Sequence, residues 1–123
     1  MKYCSKITGW GPDALFFLED PDAQFMIIFN EDAPPELAEI SVLHTKSGIY
    51  TEPENGDTVL LGDKVFEVTA VGEEARHTLR DLGHCTLCFK GGDTPDRPGC
   101  IMLAGDEPLQ KKDIQTGMKL EIH

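Results

Sequence analysis

The chain has 123 residues, with 22 acidic side chains against 11 lysines and arginines, which gives a formal net charge of −11. This length allows one domain with a real hydrophobic core and is too short for two of ordinary size, so we expect a single domain over residues 1–123. The negative charge disfavours nucleic acid, because a phosphate backbone would be repelled over most of the surface. It suits a basic protein partner, although acidity that serves only solubility would look the same.

The composition places the chain among cytoplasmic folded proteins. The longest compact apolar run, Phe25 to Phe29, is far shorter than a membrane span, and Met1 to Lys6 lacks the apolar core of a signal peptide. The four cysteines lie in or beside apolar runs of a chain without a secretion signal, so buried free thiols are expected rather than disulfides.

The first third of the chain predicts two strands and a turn between them. Tyr3 to Gly9 is a modest strand that ends at the glycine and proline of residues 10–13. Phe25 to Phe29 has aromatic and β-branched residues on both sides, which is typical of a strand buried on both faces. An acidic, proline-containing loop over residues 30–35 follows.

The stretch Ile40 to Gly48 carries the first candidate for chemistry. Alternation predicts an extended strand with Ala38, Ile40, Val42 and His44 on one side, so that an imidazole ends an otherwise apolar row at the rim of a sheet. Hydroxyls, an ammonium and a glycine follow at once. Such a ring could accept an anionic group, and it could equally be a strand-end histidine satisfied by a backbone carbonyl.

A hairpin and one helix are predicted next. Thr58 to Leu61 and Lys64 to Val71 alternate on either side of a tight Gly62-Asp63 turn, and Phe66, Val68 and Ala70 are expected to share the inner face. The helix runs from the acidic pair at residues 73–74 to a capping glycine at residue 83, with an apolar stripe at residues 75, 79 and 82.

The last third predicts three further strands, namely His84 to Lys90, Cys100 to Ala104 and Met118 to Ile122, with a proline-rich loop after the first. Many short strands, frequent turns and one short helix predict an all-β fold, a mostly antiparallel closed barrel or sandwich.

The Cys-x-x-Cys at Cys85 and Cys88 is the main candidate for a metal site, and strand geometry opposes it. In an extended segment Cys85 points with Leu87 while Cys88 points with His84, so the two thiolates cannot meet on one ion. The chain also lacks the glycine-rich signatures of nucleotide-binding loops. We therefore predict neither a metal nor a cofactor.

Four histidines remain. His123 is terminal, and His77 falls off the apolar stripe of the helix, so both are expected in solvent. His84 could reach a cleft or merely meet water. For His44 to act as a nucleophile, one ring nitrogen must be free while the other is held in the right tautomer, and Thr45, Lys46 and Ser47 could then cradle phosphoryl oxygens.

The chain resembles the glucitol/sorbitol-specific IIA component of the bacterial phosphoenolpyruvate-dependent sugar phosphotransferase system. The resemblance covers nearly the whole sequence. It is carried by residues 68–72, the Leu-Arg-Asp-Leu-Gly-His block at residues 79–84, residues 86–87 and 89, 98–99, 103–105 and 117–120, and in the first half by residues 28–29, 33–34 and 37 and the apolar residues before His44.

This resemblance implies a phosphocarrier and its partners. A histidine at the position of His44 would take a phosphoryl group from the phosphorylated histidine phosphocarrier protein. It would pass that group to a cysteine of the membrane-bound IIB component during hexitol uptake, which implies transient residence at the inner face of the membrane. His84 would support it, although a structural role is as compatible. Where a further histidine is expected after His44, this chain has Thr45-Lys46-Ser47.

Two alternatives stay open at this stage. A relative that keeps the barrel and has lost the chemistry would be a regulatory or ligand-binding module. Open sheet edges would also allow a homodimer by strand exchange.

Overall fold

The computed structural model describes residues 1–123 and shows a closed barrel of eight strands. The strands are β1 Tyr3–Trp10, β2 Phe25–Asn30, β3 Val42–His44, β4 Thr58–Leu61, β5 Lys64–Val71, β6 Cys85–Cys88, β7 Cys100–Ala104 and β8 Lys119–Ile122. The helices are α1 Pro35–Ala38 and α2 Glu73–Leu82, with a 3₁₀ turn at Lys111–Asp113. No helix has the length and apolar character needed to cross a bilayer.

Around the barrel the strands follow the order β1-β3-β2-β6-β7-β5-β4-β8, and β8 closes on β1. The pairs β2–β3 and β6–β7 are parallel, and the other six are antiparallel. The predicted all-β, mostly antiparallel closed barrel with one main helix is therefore confirmed. Closure leaves no unpaired sheet edge.

The barrel is filled by one apolar cluster of 21 buried residues. Inward residues of every strand contribute to it, as alternation requires, and Ala75 and Leu79 of α2 pack against it from one side. The helix ends at Gly83, which adopts the left-handed conformation with φ 61°. The predicted limits of this helix and its glycine cap are confirmed.

Ala70 does not share the inner face of the hairpin, contrary to the prediction. The β5–β7 register shifts between Val68 and Ala70, so a bulge turns the following residues over. Ala70 instead joins a second buried cluster with Cys88, Cys100 and Met102. The hairpin itself pairs as predicted.

The structure also corrects the predicted strand before His44. Pro34 and Pro35 begin α1 rather than a loop, since proline suits the first turn of a helix. Only Val42 to His44 is extended, and Ile40 lies exposed at the surface. The short β3 is wedged between β1 and β2.

The cysteines are free thiols, as predicted, although Cys4 is only partly buried. Cys85 packs in the main cluster and Cys88 in the second cluster, so the two thiols lie on opposite faces of β6. All four cysteines are free, and Cys85, Cys88 and Cys100 are buried.

Candidate functional site

His44 ends β3, and its ring lies inside the protein. Its exposed fraction is 0%, like that of Val42 two residues earlier, and Tyr3 meets the ring edge-on with 6.1 Å between the ring centroids. The expectation of an open imidazole at the sheet rim is wrong for this structure. The ring is covered because the end of α2 folds over the site from a distant part of the sequence.

Both ring nitrogens of His44 face backbone carbonyl oxygens. Nδ1 lies 2.9 Å from the oxygen of Thr45, and Nε2 lies 2.7 Å from the oxygen of Gly83. Burial lowers the pKa of His44 below its usual value, against the opposing effects of these two carbonyls and of Glu31. A neutral imidazole carries one N–H, so it can donate to only one of the two oxygens.

Only glycine fits at position 83 without strain or overlap. Its φ of 61° is costly for other residues, and a Cβ at this position would overlap Asn30 Oδ1 and lie 2.9 Å from His44 Cε1. The helix therefore ends on a residue that lets its carbonyl reach the buried ring. Gly83 separates His44 from a pocket at the surface.

This pocket has a volume of about 240 Å³, and Tyr3, Asn30 and Gly83 are among the residues that line it. Its lining also carries two cations, Lys46 and Arg80. The Nζ atom of Lys46 lies 3.0 Å from Asp32, and Nε of Arg80 lies 2.9 Å from Asp81. All four side chains are more than half exposed, so each ion pair is weak. Each cation can therefore bind another anion in place of its carboxylate.

Asn30 is a residue of the site that the sequence did not single out. It is 8% exposed, and its Oδ1 is buried without a hydrogen-bond partner, which is an uncommon state for a polar atom. It pairs directly with His44 in the β2–β3 register. A polar residue directly after the apolar run Phe25 to Phe29 was the available signal.

Thr45 and Ser47 lie next to the site, and their hydroxyl oxygens already accept hydrogen bonds from backbone amides. Thr45 Oγ1 accepts from the Lys6 amide at 3.0 Å. Ser47 Oγ accepts from the Cys4 amide at 3.1 Å and donates to the Ile49 carbonyl at 2.6 Å. They fix the loop after His44 against β1, and of the three predicted neighbours only Lys46 has its polar group directed to another side chain.

His84 follows Gly83 in the chain and is partly exposed. Its Nδ1 lies 3.1 Å from the Ile28 carbonyl, and its ring packs on Phe29 at 4.7 Å between centroids. Nε2 has no partner within the chain. His77 and His123 lie in solvent beside Glu73 and Glu121, as predicted.

Comparison with known families decides the assignment. Residues 2–121 match the family described as the PTS system glucitol/sorbitol-specific IIA component. The chain belongs to this family. Membership supports a phosphocarrier role in the phosphotransferase system (PTS) and implies phosphotransferase activity.

Relatives of this IIA component agree with the assignment. The chain is 36% identical over 119 residues to the glucitol/sorbitol-specific EIIA component of Escherichia coli K12, with 97% of this chain and 92% of that protein covered. The protein of the same description from Shigella flexneri gives the same identity and coverage. The crystal structure of a PTS system IIA component from Enterococcus faecalis V583 shares the fold, with a TM-score of 0.74 at 23% identity over 96% of this chain and 97% of that one.

The IIA component thus holds two imidazoles next to one glycine, because the His44 ring contacts the Gly83 carbonyl and His84 is the following residue. His44 has a fixed ring behind a cation-bearing pocket, and His84 has a free, partly exposed nitrogen. Either imidazole can supply the lone pair that attacks phosphorus, once its unprotonated nitrogen is open to the phosphoryl donor.

Proposed function

We propose that this IIA component takes a phosphoryl group from the phosphorylated histidine phosphocarrier protein onto Nε2 of His44. It then passes the group to the membrane-bound IIB component for uptake and phosphorylation of glucitol (sorbitol), and so works at the inner face of the membrane. The observation that carries the proposal is the contact between His44 Nδ1 and the Thr45 carbonyl. A proton held there leaves Nε2 unprotonated, with a lone pair that can attack once the Gly83 carbonyl moves away.

The transfer needs little besides alignment. The Nε2 lone pair of His44 forms a bond to phosphorus while the phosphorus–nitrogen bond of the donor breaks, and that electron pair returns to the donor imidazole. The Nδ1 proton stays on His44, where the Thr45 carbonyl stabilises the positive character of the phosphorylated ring. In onward transfer the thiolate of the IIB cysteine forms a bond to phosphorus while the phosphorus–nitrogen bond breaks, and that electron pair returns to Nε2 of His44.

The Gly83 carbonyl must move for this step. In the tautomer that can react, the Nε2 lone pair faces the Gly83 oxygen at 2.7 Å, which is a repulsive contact rather than a hydrogen bond. Rotation of the peptide after Gly83 removes this contact, and glycine has the conformational freedom for it. The ring then opens toward the pocket.

Phosphoryl oxygens would meet Asn30, Lys46 and Arg80 in this pocket. The two cations are available because their partners, Asp32 and Asp81, are exposed and held only at the surface. The Nδ2 group of Asn30, which lines the same pocket, can donate a hydrogen bond to a phosphoryl oxygen, whereas its buried Oδ1 is an acceptor and cannot. Thr45 and Ser47 support the site by fixing the backbone that carries His44.

His84 is a second candidate for the carrier atom. Its Nδ1 faces a carbonyl and its Nε2 is free, which is the arrangement required of a nucleophile without any rearrangement. If His84 instead steadies the phosphoryl group on His44, His84→Gln will slow onward transfer more than initial labelling. Labelling and transfer at the wild-type rates would make it a structural residue.

The test is labelling with ³²P-phosphoenolpyruvate and the general phosphotransferase proteins. We expect acid-labile label on the wild type and on the control His77→Gln, and none above background on His44→Ala. Label retained by His44→Ala and lost by His84→Gln would move the carrier site to His84. A folded wild type that takes no label would favour the non-catalytic regulatory or ligand-binding relative.

A further inference from the structure

An apolar patch lies on the outer surface beside β2. We use the name aromatic patch for the residues Phe16, Phe17, Phe25, Ile27 and Ile40, which surround a hollow of about 380 Å³. Phe16 is 68% exposed, Phe17 42% and Ile40 39%. Large apolar side chains grouped in this way on a monomer usually mark a contact site.

The aromatic patch is held in place. The rings of Phe17 and Phe25 stack with 4.9 Å between centroids, and Phe16 meets Phe17 edge-on at the same distance. Two backbone hydrogen bonds join the segments that carry the patch, from the Gly11 amide to Ser41 and from the Asp13 amide to Glu39. A preformed apolar surface loses little entropy when a partner docks.

The aromatic patch continues toward the histidines. Phe25, Ile27 and Phe29 alternate along one face of β2, and Phe29 packs on His84. Four residues of strand span roughly 13 Å. A standard interface covers about 800 Å² on each partner, a disc about 30 Å across, so one docked protein would cover the patch and the site together.

The charge of the chain indicates which kind of partner binds the aromatic patch. The chain has a net charge of −11, and Asp13 lines the patch itself. A second copy of the chain and an anionic bilayer carry the same sign and would be repelled. A protein that presents apolar side chains among lysines or arginines fits both the apolar surface and the charge.

We propose that the aromatic patch is the docking surface of the protein that delivers the phosphoryl group. This inference rests on the proposed function, because that protein must bring its own phosphohistidine to the pocket beside Gly83. The patch would supply most of the affinity, and the net negative charge would speed the encounter.

The variants Phe16→Ser and Phe17→Ser test it, since both side chains are exposed and their loss leaves the core intact. The control is Val65→Ser, which removes an apolar side chain that is 57% exposed on β5, three strands away from β2. Labelling rates are measured against the concentration of the phosphorylated donor. We expect KM to rise about tenfold in each patch variant with kcat nearly unchanged, as for loss of an aromatic anchor, and no change in the control.

Added salt should raise KM in the wild type. A wild type that is labelled, with the same KM in the patch variants, would overturn the inference and leave the proposed function standing, whereas an unlabelled wild type would overturn the function itself. Sedimentation that shows a dimer dissociated by Phe16→Ser would assign the patch to a second copy and also overturn it.

Discussion

Nε2 of His44 lies 2.7 Å from the carbonyl oxygen of Gly83, although Nδ1 of the same ring already faces the Thr45 carbonyl. One proton cannot serve both contacts in a neutral ring. The nitrogen that we propose as the phosphoryl acceptor is therefore covered by a carbonyl that can accept a hydrogen bond from it only in the tautomer that cannot react. Five predictions test this relationship and the groups around it.

Replacing Gly83 by alanine should destabilise the protein by about 2–4 kcal/mol, because a Cβ adds left-handed strain and overlap with Asn30. Gly62→Ala is the matched control. Its φ is 59°, but its Cβ would make an ordinary 3.4 Å contact with Met118. Urea unfolding measures both variants. Equal losses would show that Gly83 is kept for its conformation and not for its closeness to His44.

Stability should fall as the pH drops below about 6.5, and His44 should account for part of the fall. Burial lowers the pKa of His44 in the folded protein, so the unfolded chain binds a proton first as the pH falls. The contribution is constant above the unfolded pKa and is lost below it, by at most about 1.4 kcal/mol per pH unit. Urea midpoints at pH 7.5 and 5.5 should differ more for the wild type than for His44→Gln. An equal or larger difference in the variant would contradict the lowered pKa.

Asn30→Leu should slow phosphoryl transfer without lowering the stability of the protein. It removes a buried oxygen that has no partner, so the free energy of unfolding should be unchanged or about 1 kcal/mol higher. The same change removes a polar group from the pocket, and labelling should slow about tenfold. Labelling at the wild-type rate would exclude contact between Asn30 and the phosphoryl group.

Lys46 and Asp32 should have opposite effects on the labelling rate. Lys46→Gln removes a cation from the pocket and should slow labelling about three- to tenfold, whereas Asp32→Asn frees that cation and should accelerate it. Both changes should alter stability by less than about 1 kcal/mol, since the pair is exposed. Rates that change in the same direction in both variants would point to a structural role of the pair.

Much of the barrel was predictable because its strands alternate and its turns contain glycine. The hairpin of β4 and β5 and the helix that ends at Gly83 follow from local pattern alone. The bulge before Ala70 does not, because pairing with β7 decides it, whereas the prolines that begin the one-turn helix at Pro35–Ala38 are equally typical of a loop.

The candidate site was predictable in its central residue and not in its surroundings. His44 follows from its place after an apolar strand and from the resemblance. Its burial depends on a carbonyl 39 positions away, and the unpartnered Asn30 is recognised only once β2 and β3 lie side by side. Contacts of this kind have no signature within a short window of sequence.

The most direct measurement is ¹H–¹⁵N NMR of the imidazole nitrogens after phosphorylation by phosphoenolpyruvate and the general phosphotransferase proteins. We expect a phosphoryl group on Nε2 of His44, a proton retained on Nδ1, and changed amide signals at Gly83 and His84. A phosphoryl group on His84, or an unchanged His44 ring in a fully labelled protein, would contradict it.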